Sequence, residues 1–83
     1  MTYITPPDEF PAFPGRKTVR PKTGYGGGKL SKRWKDDRGD LYEWDGLHAR
    51  LERYDARGKH LGEYDPTTGT QTKPADKTRR IEP

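Results

Sequence analysis

From Lys29 onward, short runs of β-forming residues alternate with clusters of Asp, Gly, Pro and Thr, a rhythm that predicts strands joined by tight turns. Residues 31–35 (SKRWK) read as a strand and 36–40 (DDRGD) as a turn. In the next run, 41–45 (LYEWD), period-two alternation sets Leu41, Glu43 and Asp45 on one face and Tyr42 and Trp44 on the other. Asp45-Gly46 opens a tight turn, after which 48–54 runs back. Residues 55–58 (DARG) turn the chain into 59–64, and 65–69 (DPTTG) turn it into 70–73. The expected fold is mainly β (small α+β): a single, highly twisted antiparallel β-sheet built as a meander. There is no internal repeat and no sustained helical periodicity.

The flanks have a different texture. Residues 1–28 hold five of the eight prolines (Pro6, Pro7, Pro11, Pro14, Pro21) and end in Gly24, Gly26, Gly27 and Gly28. Proline removes backbone donors and glycine adds freedom, so residues 1–25 are expected to be an extended Pro/Gly-rich lead to a domain at 26–83. The one place where a short N-terminal helix fits is 7–10, with Pro7, Asp8 and Glu9 in its first turn. Phe10 and Phe13 would then pack on the sheet; the alternative for 1–20 is a disordered connector. The tail, 74–83, is basic and reads as irregular.

Composition narrows the function classes. With 83 residues, 27% of them hydrophobic and 36% charged, the chain makes at most one small domain with a thin core. Five Tyr, two Trp and two Phe give that core its bulk. The absence of cysteine excludes disulfides and thiolate-held metal. A net charge of +4 favours a polyanionic partner, nucleic acid before membrane, because no segment is apolar or amphipathic enough for lipid. Met1 is followed by TYITPPDEF rather than a secretory signal, and it reads as a start placed on a domain cut from something longer.

The densest chemistry lies in LYEWDGLHARLE, which carries Asp45, His48 and Glu52. If Gly46-Leu47 is a two-residue hairpin loop, Asp45 and His48 face each other, within reach of a carboxylate–imidazole hydrogen bond. Glu52 follows His48 by four residues, about 13 Å along a straight strand at about 3.3 Å per residue. Sharing one phosphate would then require twist, a bulge or converging side chains. Cleavage of RNA through its own 2′-hydroxyl needs a base, an acid and a cation for the phosphorane; Glu52, His48 and an arginine suit these roles. The plain alternatives are a solvated His48 and a surface ion pair of Glu52 with Arg50 or Arg53. His48 and His60 lack further ligands at metal spacing, so no metal and no cofactor is expected, and His60 reads as structural. Lys29, Lys32, Arg33, Trp34 and Lys35 form a basic and aromatic cluster suited to RNA phosphates and base stacking, or else a solvated loop.

The segments GGGKLSKRW (26–34), LYEWDGLHARLERY (41–54), KHLGEYDPTTGTQ (59–71) and KPADKTRRI (73–81) together resemble the cytotoxic domain of the ribosome-inactivating colicins and cloacin. The same domain type ends contact-dependent inhibition toxins and related bacteriocins. The resemblance is close to collinear; it departs in the 55–58 turn, one residue shorter here, and in residues 1–25. It implies a metal-free endoribonuclease that cuts one phosphodiester in the decoding site of small-subunit (16S) ribosomal RNA, leaving a 2′,3′-cyclic phosphate and stopping translation. Carried over residue by residue, it implies Glu52 as general base, His48 as general acid, Asp45 as support for His48, and Arg79 or its neighbour Arg80 as the essential arginine. It further implies a dedicated acidic immunity protein, the ribosome as target, and delivery from outside as the C-terminal domain of a larger toxin acting in the target-cell cytoplasm. A monomer with no membrane contact of its own is expected. Rival readings are a non-catalytic basic RNA-binding module, a fragment that orders only on a partner, and a broad-specificity ribonuclease on the same fold.

Overall fold

The structure, a computed structural model, describes residues 2–83, so Met1 and the reading attached to it lie outside it. Eight strands form: β1 (Lys17–Val19), β2 (Gly24–Gly26), β3 (Lys29–Leu30), β4 (Arg33–Lys35), β5 (Leu41–Asp45), β6 (Arg50–Tyr54), β7 (His60–Tyr64) and β8 (Gln71–Lys73). Six of them make one antiparallel sheet in the order β1-β4-β5-β6-β7-β8, while β2 and β3 pair as a separate hairpin. The predicted meander is therefore β4 to β8, with β1 folded back along β4. Among the described residues there is no helix, and none long and apolar enough to cross a membrane. The short helix expected at 7–10 is replaced by a bend, since Pro6, Pro7, Pro11 and Pro14 deny that segment the donors a helix needs.

Each hairpin of the meander opens on an aspartate whose side chain takes up the loop amides. Asp36 Oδ1 accepts from the amides of Arg38 and Asp40, Asp55 Oδ1 from Arg57 and Lys59, and Asp65 Oδ1 from Thr67 and Thr68. Asp45 does the same for Leu47 and His48. These aspartates supply backbone partners locally, which is why short loops of polar residues suffice.

The sheet buries a different core on each face. On one, Trp34, Tyr42, Trp44 and Leu51 pack with Phe10, and Tyr3, Phe13 and Ala49 lean against them. Phe10 is 1% exposed, edge-on to Trp34 at 4.8 Å between ring centres and stacked on Trp44 at 6.2 Å. The Trp44 indole donates to Ile4 O at 2.6 Å, and Ile4 N donates to Gly46 O. Residues 2–25 are thus stitched into the fold by the buried Phe10 ring, by strand β1 and by hydrogen bonds that include these two and Ser31 N to Thr23 O. The opposite face holds a smaller cluster, Leu41, Tyr54 and Ile81. Ile81 arrives from the tail, its amide donating to Gly58 O at 2.9 Å. Gly58 sits at φ +89°, and a Cβ there would collide with Ile81 O, so only glycine lets the tail close over this face.

Candidate active site

The face that carries the smaller cluster also carries a row of charges running straight across the sheet. Strand register sets Arg33 (β4) opposite Glu43 (β5), Glu43 opposite Glu52 (β6), Glu52 opposite Glu63 (β7), and Glu63 opposite Lys73 (β8). Glu43, Glu52 and Glu63 are 3%, 5% and 4% exposed, so three carboxylates lie side by side out of water. Like charges directly opposite destabilise a sheet, and burial raises the cost. Each carboxylate is held by its own donors. Glu43 Oε2 accepts from Arg33 Nε and Nη2 at 3.1 and 2.8 Å. Glu63 Oε1 accepts from Thr72 Oγ1 at 2.7 Å, with Lys73 Nζ 3.8 Å from Oε2.

Glu52 is held by His60 and Arg79. Its Oε1 lies 2.7 Å from His60 Nε2 and 3.4 Å from Arg79 Nη1. His60 Nδ1 accepts from the Asp76 amide at 2.9 Å, which leaves the proton on Nε2 and directs it at Glu52. His60 is therefore part of the site, a role the sequence reading missed. Strict alternation from Glu63 would turn Leu61, not His60, to this face. The register instead pairs Arg53 with Gly62 and Tyr54 with His60, so one extra residue bulges and brings His60 round beside Glu52. Glycine inside the strand pattern HLGEY was the available signal.

Between β5 and β6 the loop has four residues, 46–49, not two, and Asp45 pairs in register with Arg50. Ala49 closes the loop at φ 54°. Asp45 and His48 nevertheless meet, because Asp45 uses Oδ1 for the loop amides and Oδ2 for His48 Nδ1 at 2.7 Å. Burial pushes the Asp45 carboxyl up, but the donors on it, His48 first and the Leu47 amide next, outweigh this and hold it below the usual carboxylate value. The His48 side chain is 53% exposed, so its ring is open to an incoming ligand. A cavity of about 320 Å³ is lined by Glu43, Asp45, Glu52 and Arg79, together with Tyr3, Thr23 and Ser31. Three of the four predicted catalytic residues line that cavity, and the fourth, His48, is hydrogen-bonded to one of them, Asp45. Arg79 reaches Glu52, whereas Arg80 bridges Lys59 through its backbone.

The basic and aromatic cluster divides. Trp34 is buried under Phe10, which leaves no face for a base. Arg33 is 2% exposed and spent on Glu43, Thr23 and Glu82 O. The strand's alternation sends these two inward on opposite faces, so the stacking and phosphate roles predicted for them are corrected to structural ones. Lys29, Lys32 and Lys35 are exposed.

A family model described as Cytotoxic matches residues 4–82. Among known proteins, cloacin of Escherichia coli is 47% identical over 66 residues, covering 78% of this chain and 12% of cloacin. Colicin E3 of Escherichia coli is 53% identical over 58 residues, 68% of this chain and 10% of that protein. Colicin-E6 of Escherichia coli is 47% identical over 68 residues, 78% of this chain and 12% of that protein. The chain thus spans about a tenth of the length of these relatives, between 10% and 12%.

Proposed function

The chain belongs to the Cytotoxic family, and on that premise we propose that it is the killing domain of a bacteriocin, an endoribonuclease that stops translation. Its substrate is small-subunit (16S) ribosomal RNA in the decoding site of the bacterial ribosome. Glu52 takes the proton of the 2′-hydroxyl, the 2′-oxygen attacks phosphorus, and His48 protonates the departing 5′-oxygen. The products are a 2′,3′-cyclic phosphate and a free 5′-hydroxyl, and no metal takes part. Asp45 occupies His48 Nδ1, so Nε2 is the nitrogen that delivers the proton. Arg79 meets the charge that builds on the phosphorane, and its fork suits phosphate oxygens. Each proton transfer contributes roughly 10²–10⁴-fold. Lys29, Lys32 and Lys35 guide the RNA backbone to the site.

The observation that carries this reading is that Asp45, which holds His48, lines one cavity with Glu52 and Arg79. Family membership extends it to an acidic immunity protein as partner, and to delivery from outside as the C-terminal part of a longer toxin that works in the target-cell cytoplasm. The domain acts as a monomer. The test is incubation of 70S ribosomes with the chain in EDTA, followed by a denaturing gel, beside the same RNA stripped of protein. One small 3′ fragment of 16S RNA from intact ribosomes is expected. Uniform degradation of both samples would replace the ribosome-specific reading with a broad-specificity ribonuclease. Intact RNA carrying bound protein would replace it with a non-catalytic binder.

A further inference from the structure

The reaction above leaves Glu63 without a part, although Glu63 is 4% exposed and sits beside the working histidine. One carboxylate oxygen of Glu63, one of Asp45 and one ring nitrogen of His48 all lie within 4.8 Å of one another. The three come from the end of β5, the loop after it and β7, so no sequence spacing announces them. From this grouping we infer that Asp45, His48 and Glu63 bind a divalent transition-metal ion of the zinc class, and that the bound ion switches the domain off. The second half rests on the nuclease reading, because it works by withdrawing His48 from proton transfer.

The donor set is one imidazole nitrogen and two carboxylate oxygens, which suits zinc and its neighbours better than magnesium. Zinc bonds of about 2.0–2.2 Å in a tetrahedron place donors roughly 3.4 Å apart, with water as the fourth ligand. Atoms now within 4.8 Å have at most about 1.4 Å to close, and half-exposed His48, on a four-residue loop, makes that move by trading its 2.7 Å hydrogen bond to Asp45 for the ion. Glu63 is already oriented, since Thr72 Oγ1 fixes Oε1 as an outer-shell partner would. Lys73, 3.8 Å from Oε2 with its side chain 62% exposed, is able to swing into solvent and yield its place. The neighbouring Glu52–His60 pair is no competitor: both His60 nitrogens are engaged, and the Arg79 charge repels a cation.

The test is calorimetric titration of zinc chloride alone into the full chain at neutral pH, with magnesium chloride in parallel. One zinc site per chain is expected, with far weaker heat from magnesium. His48→Ala and the shape-conserving Glu63→Gln, both checked for a native near-ultraviolet spectrum, should each weaken zinc about ten-fold or more. Absence of zinc binding, or zinc binding unchanged in both variants, overturns the site. Ribosome cleavage separates the two readings. A chain that binds zinc through these residues but cuts nothing in EDTA keeps the site and loses the nuclease and its switch. A chain that cuts in EDTA and keeps cutting at saturating zinc keeps the nuclease and loses the switch.

Discussion

Arg33 offers the sharpest test of how the charged row is held. Its guanidinium is 2% exposed and grips Glu43 through two hydrogen bonds, with the closest nitrogen 2.8 Å from Oε2. At an effective dielectric near 20, that separation corresponds to about 6 kcal/mol of gross attraction, most of it offset by desolvation of the two ions. Arg33→Met strands Glu43 beside Glu52 and should cost about 3–5 kcal/mol for the unpaired buried charge. Loss of the bonds to Glu82 O and Thr23 adds about 0.5–1.5 kcal/mol each. A domain of this length has a total stability of about 4–12 kcal/mol, so the variant should lose about a third of it or more. Arg33→Met with Glu43→Leu removes both charges and should recover at least about 2 kcal/mol relative to the single change. The assay is equilibrium urea unfolding followed by fluorescence of the two tryptophans, both buried in the first core. A single-variant loss under about 1 kcal/mol, or a double variant whose costs simply add, would refute this account of the row.

Three further outcomes follow from the same geometry. Phe10→Ala, which empties a site 1% exposed between two tryptophans, should cost about 3–5 kcal/mol by urea unfolding; a loss under about 1 kcal/mol would return residues 2–25 to the status of a lead. The Asp45 carboxyl is held below its ordinary value in the fold, so its contribution is present above that ordinary value, near 3.9, and is lost as pH falls through the folded one. Unfolding midpoints measured from pH 6 to pH 2 should therefore fall less steeply at the acid end in Asp45→Asn than in the wild type, and an identical slope would remove the Asp45–His48 bond from the account. Arg79→Ala should lower ribosome cleavage about 10²-fold or more while Arg80→Ala leaves it within about three-fold, and the reverse order would mean that the wrong arginine has been assigned.

Much of this molecule is legible in its sequence where alternation is strong. LYEWD forms β5 at the predicted bounds, and the runs at 48–54, 59–64 and 70–73 become β6, β7 and β8, each starting one or two residues later than read. Strands β1 to β3 went unread because KTV, GYG and KL are short and mostly polar, with no apolar alternation to mark them. Local competition decided the rest. An aspartate able to cap two loop amides lengthened the Asp45 turn from two residues to four, yet left its second oxygen for His48. A one-residue bulge, invisible to period-two counting, moved His60 from a structural reading into contact with Glu52. Trp34 looked like a stacking platform only while its strand partners were unknown. Phe10, expected to pack on the sheet from an otherwise linker-like lead, does so and occupies the space a base would need.

On the proposed mechanism His48, held by Asp45, is the proton donor of a metal-free cut in ribosomal RNA. The most direct test is the single-turnover rate of 16S RNA cleavage in 70S ribosomes, in EDTA, for the wild type and His48→Ala. His48 is exposed, so the substitution spares the core. A rate lower by about 10²–10⁴-fold is expected in the variant, with both proteins equally folded. Equal rates, or a wild type that leaves the RNA whole, would contradict it.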